Sequence, residues 1–507
     1  MSENAVSFKN VTKTFGELKA INNVSLDVKK GEILSLLGEN GSGKTTLMNM
    51  LSGIYFPDAG HIFINGKEEV IRSPKDAFDL GIGMVHQHFK LIDVLTTTEN
   101  IVLGLKGKLN LKEAEKKIMS IAEKYGFDID PNKKVYDMSV SEKQTVEIVK
   151  VLFRGADILI LDEPTAVLTP QETEKLFKVM RNMKKDGKSI IIITHKLNEV
   201  KEISDRVAIL RKGEFIGMMI TAESDEQQMT DMMVGHSVKL NIERKEPKDS
   251  KPRIEVKNLS VKDSQGVYKI KDVSFTAESG EVLGIAGISG CGQKELLEAI
   301  AGLEKIDSGD VLFTEDNGTK TSLKGKSPRA VSDLGISLSF VPEDRLGMGL
   351  VGNMSLVGNM MLRSYRKGAS PFVDRKAPRK LAEKVVTDLD VMTPSVDTPV
   401  RRLSGGNVQK VLLGREIATK PKVLMTAYAV RGLDINSSYT IYDLINKEKE
   451  SGTAVIFVGE DLDVLLQISD RILVLCDGEV SGIVDGRKAD KNTVGLMMTK
   501  KGGENNE

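Results

Sequence analysis

Apolar residues along this chain fall into short runs bounded by glycine, charge or proline. Ile33-Leu34-Ser35-Leu36-Leu37, Ile158-Leu159-Ile160-Leu161 and Ser189-Ile190-Ile191-Ile192-Ile193-Thr194 have the length of strands, and the first has the leucine content of a buried parallel one. Val6 to Val11 and Ile254 to Leu259 instead alternate apolar and polar positions, the signature of strands with one wet face. Thr45 to Leu51 continues as a helix directly after the first run, and Leu111 to Tyr125 and Arg379 to Leu389 give each half of the chain a helix-rich middle. Strands alternating with helices define an α/β fold with an inserted helical subdomain. No apolar run approaches the roughly 20 residues that a membrane-crossing helix needs.

The pattern occurs twice. Asn23-Val24-Ser25 and Gly31-Glu32 return as Asp272-Val273-Ser274 and Gly280-Glu281, an offset of 249 residues from Gly31 to Gly280. Leu51-Ser52-Gly53 and Ile300-Ala301-Gly302 keep that offset. Ser139 and Ser404, like Asp231-Met232-Met233 and Leu496-Met497-Met498, are 265 apart, so the second copy carries insertions between those points. Between the copies, Ile242 to Pro252 is charged and proline-bearing without apolar periodicity, as a solvated linker is. The expected division is a first domain at 1–240, a linker at 241–252, a second domain at 253–500 and a disordered tail at 501–507.

Composition changes this picture little. Lys plus Arg and Asp plus Glu both number 72, so the net charge is zero and no overall field steers the chain toward nucleic acid. The two cysteines, Cys291 and Cys476, do not make a disulfide framework and fit a reducing compartment. Met-Ser-Glu-Asn at the start has neither the basic nor the apolar region of an export signal, so the expectation is a chain that is neither exported nor membrane-spanning.

The chemistry is concentrated in the first copy. Gly38-Glu39-Asn40-Gly41-Ser42-Gly43-Lys44-Thr45 fits the phosphate-loop pattern G-x-x-x-x-G-K-[ST] between a strand and a helix. In such a loop backbone N–H groups converge on phosphate oxygens at a helix N-terminus. Lys44 adds a charge at the β- and γ-phosphates, and the Thr45 hydroxyl can ligate Mg²⁺. The strand ending in Asp162 and Glu163 places two carboxylates where a nucleotide lies in such a sheet. Asp162 is suited to hold Mg²⁺ through water and Glu163 to polarise the water that attacks the γ-phosphate. His195, at the end of the strand Ser189 to Thr194, is placed to contact the γ-phosphate.

With these residues the chain resembles the ATP-binding-cassette (ABC) family over essentially its whole length. The resemblance implies two tandem nucleotide-binding domains, each a phosphate-loop α/β core with an antiparallel β part and a helical subdomain. It extends the ATP-binding set to Thr46, assigns Gln87 to a loop that senses Mg²⁺ and contacts a membrane partner, and assigns Phe15 to stacking on adenine. The family's signature loop, LSGGQ or similar, is matched closely by Leu403-Ser404-Gly405-Gly406-Asn407. In the first copy Met138-Ser139-Val140-Ser141-Glu142 stands there without the glycines.

The second copy departs from the family almost everywhere that chemistry is needed. Gln293 and Lys294 replace Lys44 and Thr45, Ala427, Tyr428 and Glu460 replace Asp162, Glu163 and His195, and Glu343 replaces Gln87. Glu343 and Glu460 would also repel a polyphosphate, and Cys291 is expected to be only a small residue in its loop. In the family two cassettes pair head to tail, each nucleotide lying between one phosphate loop and the other signature loop. Losses in this chain are therefore segregated: one composite site keeps every element and the other loses them all.

Such an asymmetric fused pair resembles the energy-coupling ATPase of importers for nucleosides and monosaccharides. That implies ATP and Mg²⁺ as cofactors, integral membrane permease subunits as partners, an extracytoplasmic solute-binding protein acting through them, no nucleic acid, and a peripheral position on the cytoplasmic face of the membrane. Val85-His86-Gln87-His88-Phe89 and Thr165-Ala166-Val167-Leu168-Thr169-Pro170-Gln171-Glu172 are nearer the nucleoside branch, with ribose or galactose importers the alternative. A soluble tandem-cassette protein acting on ribosomes or DNA would more often keep both sets of catalytic residues, and a non-catalytic scaffold would not need the intact first set. His86 and His88 lack the further ligands of a metal site.

Overall fold

A computed structural model describes residues 3–87, 89–105, 110–166, 168–235, 242–247, 250–263, 265–288, 290–340, 349–365, 373–430, 433, 435–459 and 461–499. It divides into two compact units, Met1–Lys239 and Leu240–Glu507.

In the first unit a six-stranded sheet has the order Glu214–Ile220, Arg206–Arg211, Ile33–Leu37, Ser189–Thr194, Ile158–Asp162, Ile82–Val85. All neighbours are parallel except the outermost pair, Glu214–Ile220 with Arg206–Arg211. The central strands are buried throughout and mostly apolar because both faces are covered. Leu34, Leu36, Ile158, Ile160, Ile191 and Ile193 point into one core, and Ile33, Leu159, Leu161, Ile190 and Ile192 into the other. That two-residue alternation is the pleat of the sheet. A four-stranded antiparallel sheet, ordered Leu18–Lys29, Asn4–Phe15, Ala59–Ile64, Lys67–Glu69, packs its buried positions Val6, Phe8, Val24 and Leu26 into the first of these cores. Helices Thr97–Val102, Leu111–Tyr125 and Val140–Phe153 enclose a separate cluster around Ile101, Ile118, Val146 and Val149, which is the helical subdomain.

The second unit repeats the design. Its sheets are Tyr268–Glu278, Pro252–Lys262, Ile306–Thr314, Lys320–Ser322, and Ile336–Phe340, Val423–Ala427, Ala454–Val458, Val282–Ala286, Arg471–Cys476, Glu479–Asp485. Helices Leu356–Met361, Lys376–Asp388 and Gly405–Ile417 form the second helical part.

One expectation fails for the stretch between the copies. Ile242 is buried in the core with Val282, Leu424 and Phe457. Arg244 donates from Nη1 to the carbonyls of Leu466 and Ser469, and the Lys245 carbonyl accepts from Lys449 Nζ at 2.6 Å and Arg487 Nη2 at 2.9 Å. Residues 242–245 are therefore strapped to the second unit by the Ile242 side chain, the Arg244 guanidinium and the Lys245 carbonyl, while Glu243 and the Lys245 side chain stay exposed. A single apolar residue has no periodicity to reveal it. The tail at 501–507 lies outside the described residues.

Candidate functional site

Strand Ile33–Leu37 ends at Gly38, and the chain turns through the loop into helix Lys44–Leu51. A Cβ on Gly38 would lie 2.3 Å from the Leu210 carbonyl oxygen. On Gly43, with φ of 101°, it would lie 2.6 Å from that of Ala20. Glycine at both positions is a matter of space, and at Gly43 of backbone conformation as well. Lys44 folds back over the loop, donating to the carbonyls of Gly38 at 2.6 Å and Glu39 at 3.0 Å. Burial lowers its pKa, against the opposing pull of Glu163, Asp162 and Glu39. The Ser42 hydroxyl is buried and has no hydrogen-bond partner among the described residues. A buried unpaired hydroxyl in a loop of converging amides suits a ligand rich in acceptors.

Parallel register brings the other residues to the same sheet edge. Ile158–Asp162 pairs with Ser189–Thr194, which pairs with Ile33–Leu37, so Asp162, Glu163 and His195 all emerge beside the loop. Thr45 Oγ1 donates to Asp162 Oδ2 at 3.3 Å. Glu163 is gripped at both oxygens: His195 Nδ1 is 2.9 Å from Oε1, and Gln87 Nε2 donates to Oε2 at 3.4 Å. Burial and the neighbouring Glu163 charge push the Asp162 carboxyl up to about 6. Glu163 moves the other way: burial works against its charge, but the His195 hydrogen bond and the charges of Lys44 and Lys196 hold it below the usual glutamate range. The site thus keeps an ionised carboxylate, oriented by two side chains, next to a cationic phosphate loop.

Phe15 ends strand Asn4–Phe15 and is 43% exposed. It meets Tyr55 edge to face at 5.2 Å between ring centres, with Lys13 Nζ 5.6 Å from its own. Tyr55 escapes a reading of the sequence, because only the folded turn after helix Lys44–Leu51 brings it to Phe15. Gln144, buried and donating to the Pro164 carbonyl, was equally hidden; it ties the helical subdomain to the turn after Glu163.

Ser404, Gly405, Gly406 and Asn407 lie in the second unit at the start of helix Gly405–Ile417. Ser404 makes no side-chain cap there. Its hydroxyl instead accepts from Asn407 Nδ2 at 2.9 Å, while Asn407 Oδ1 accepts from Met392 N at 3.0 Å. The corresponding first-copy helix is closed: Ser139 and Glu142 form a capping box, and Lys133 holds Glu142 at 2.7 Å.

The second copy's own phosphate loop keeps its shape without the lysine and threonine of the first. Gly292 has φ of 99°, and Gln293 is buried at the first position of helix Gln293–Ile300. A Cβ on Gly287 would lie 2.7 Å from Gln293 Nε2, so the amide lies over the loop as Lys44 does in the first copy. Lys294 pairs along the helix with Glu298 at 3.8 Å. Ala427 ends its strand in place of Asp162. Glu343 and Glu460, like His88, lie outside the described residues.

A strand, a glycine loop closing on its own lysine, and two carboxylates at the same parallel edge define a phosphate-loop nucleoside triphosphatase. Residues 21–166 and 270–426 match the ABC transporter family, described as "ABC transporter". The chain belongs to this family and is an ATP-binding, ATP-hydrolysing member of it with two cassettes in one chain. It is 42% identical to the nucleoside import ATP-binding protein NupA of Lactococcus lactis subsp. cremoris, covering 100% of both chains. It is 40% identical to the guanosine import ATP-binding protein NupO of Bacillus subtilis, over 98% of this chain and 97% of that one. The glucose import ATP-binding protein TsgD13 of Haloferax volcanii is also 40% identical, over 97% of this chain and 95% of its own.

Proposed function

We propose that this chain energises the import of nucleosides through separate permease subunits, supplied by an extracytoplasmic solute-binding protein. It would act as a peripheral subunit on the cytoplasmic face of the membrane. Among the described residues no helix is long and apolar enough to cross a membrane. Full-length similarity to NupA and NupO supports the importer role and the solute class. The hydrolytic part is carried by one observation, the carboxylate of Glu163 held between His195 and Gln87 beside Lys44.

In this reading Glu163 takes the proton of the attacking water, and His195 and Gln87 fix where its two oxygens point. Lys44 leaves the Gly38 and Glu39 carbonyls for the phosphates, and Gly38 to Thr46 wraps them with backbone amides. Phe15 stacks on adenine. Thr45 and Asp162 offer hard oxygen donors 3.3 Å apart beside a repelling carboxylate, a set that fits Mg²⁺, with Gln87 alongside. When bound, the ion would neutralise charge on the phosphates. Ser404, Gly405, Gly406 and Asn407 serve as the signature loop that in this family completes a nucleotide's surroundings, with the domains divided at 1–240 and 253–500.

Glu163→Gln should retain ATP binding while cutting turnover by about 10²–10⁴. Near-normal hydrolysis in the permease-coupled variant would overturn the assignment. The solute is tested by uptake into vesicles holding the whole importer: labelled nucleosides should accumulate and be competed by other nucleosides. TsgD13 gives a monosaccharide reading specific support, and glucose or ribose uptake without nucleoside uptake would replace the proposal by that one.

A further inference from the structure

Glu163 and His195 come from different strands, and something must set the distance between the two turns that carry them. Glu163 sits at φ of 47°, a conformation that a glutamate holds only where its surroundings impose it. Its own amide is anchored to the Ile193 carbonyl at 2.9 Å. Beyond it, the buried Thr165 hydroxyl donates to the Glu199 carboxylate, 2.6 Å from both oxygens. Glu199 stands in helix Leu197–Ile203, just after His195, and its Oε2 also accepts from Thr194 Oγ1 at 3.4 Å. Lys196 closes the ring, 3.1 Å from Glu199 Oε1 and donating to the Thr165 carbonyl at 3.2 Å. One carboxylate therefore staples residues 163–165 to residues 194–196.

The second copy gives an independent observation. At the same 265-residue offset, Thr165 becomes Val430, Glu199 becomes Val464 and Thr194 becomes Gly459. Both valines pack against the apolar cluster around Leu424, Phe457 and Leu462. Tyr428 keeps the φ of Glu163, at 57°, and its amide keeps the bond to the next strand, to Val458 at 2.9 Å. The turn thus forms without the staple, so the staple is not what folds it. It is present where the chemistry is present and apolar where the chemistry is gone.

We propose that Glu199 is a positioning residue for hydrolysis, acting through Thr165 and Thr194 to hold Glu163 and His195 in register. The proposal rests on Glu163 being the base. Its test is steady-state ATP hydrolysis by the full chain for Thr165→Val, Glu199→Gln, the double variant and Thr165→Ser. Thr165→Val and Glu199→Gln should each lower kcat by about ten-fold or more and leave the KM for ATP within about two-fold, since a misplaced base costs turnover and not binding. The double variant should be no worse than the poorer single one, and Thr165→Ser, which keeps the hydroxyl, should recover most of the rate lost in Thr165→Val. Additive losses, a raised KM at unchanged kcat, or Thr165→Ser as slow as Thr165→Val would each overturn it. Glu163→Gln, measured in parallel, separates the two failures. Hydrolysis insensitive to Glu163 removes the base and the staple together, whereas hydrolysis lost in Glu163→Gln but normal in Thr165→Val and Glu199→Gln removes the staple alone.

Discussion

The two copies within this chain share their scaffolding pairs and differ in their reactive ones. Glu32 and Arg206 meet at 2.6 Å in the first unit, and Glu281 and Arg471 at 2.6 Å in the second. Asp205 accepts from Ile33 N and Asp470 from Val282 N, each at 2.9 Å, and each aspartate also holds a lysine, Lys184 or Lys449. The left-handed turns recur as well, Gly43 with Gly292 and Glu163 with Tyr428. Against that constant frame, Lys44, Thr45, Asp162, Glu163, Thr165 and Glu199 have become Gln293, Lys294, Ala427, Tyr428, Val430 and Val464. In the proposed reading the frame serves folding and the reactive set serves ATP turnover. One can be lost without the other, because none of the lost residues belongs to those scaffolding pairs.

The most severe way to test the comparison is to remove the phosphate-loop cation. Lys44→Ala should bring turnover close to background and stop transport, because it takes the charge from the loop that faces Glu163. Gln293→Ala should do far less, its loop having no lysine to lose. Hydrolysis rates of the two variants decide the point, and comparable losses would mean that the second loop contributes to the chemistry.

Nearly as large an effect is expected at the signature loops. Ser404→Arg places a long cation at the helix start that lacks a side-chain cap, and should abolish hydrolysis at the first cassette's nucleotide. Ser139→Arg removes half of a capping box, but in a loop that lacks the signature glycines, and should be milder. Cassettes working independently would be indifferent to Ser404. Equal damage from both substitutions would show that both composite sites matter.

Much of this was legible before the fold was known. The phosphate loop, the Asp162-Glu163 strand end and His195 can be read because each depends on a run of neighbouring residues with one local meaning. The doubling of the domain is legible because fixed offsets survive in Asn23 to Glu32 and their counterparts. What was not legible depends on closure in three dimensions. Glu199 reads as an ordinary polar residue early in a helix until strand pairing brings Thr165 to it. Ile242 reads as one apolar residue in a charged stretch until the second core covers it.

That covering predicts a difference between two otherwise matched ion pairs. Lys449 is 2% exposed and Asp470 6%, with Lys449 also bonded to the Lys245 carbonyl, whereas Lys184 and Asp205 are each 37% exposed. Asp470→Ala should strand a buried ammonium and lower the stability of the second unit by about 3–5 kcal/mol. Asp205→Ala, beside water, should cost about 1–2 kcal/mol, mostly for the lost Ile33 hydrogen bond. Urea denaturation of the full chain, followed for each unit, measures both. Equal costs would mean that the strap does not bury the pair in solution.

The smallest expected effect separates Ser42 from Cys291, which hold the same position in the two loops. Cys291 is satisfied where Ser42 is not: its Sγ donates to the Ile288 carbonyl at 2.7 Å, with the Leu475 carbonyl 3.6 Å away. Burial, then the nearby Cys476, push its thiol up to about 12, and neither cysteine is in a disulfide. Almost no thiolate is therefore present at about pH 8, where an ordinary cysteine is partly ionised. Iodoacetamide should leave the native chain unmodified and label both cysteines after unfolding, as peptide mass analysis would record. Ser42→Ala, which removes an unpaired hydroxyl from the working loop, should weaken ATP binding by about three- to ten-fold, the worth of one hydrogen bond. Cys291→Ala should change hydrolysis by less than about two-fold, because a thiol that weakly bonds its own turn gives a nucleotide nothing. Rapid alkylation of native Cys291 with loss of activity would mean that its loop opens to solvent and takes part in the cycle, so the second phosphate loop would no longer be a frame alone.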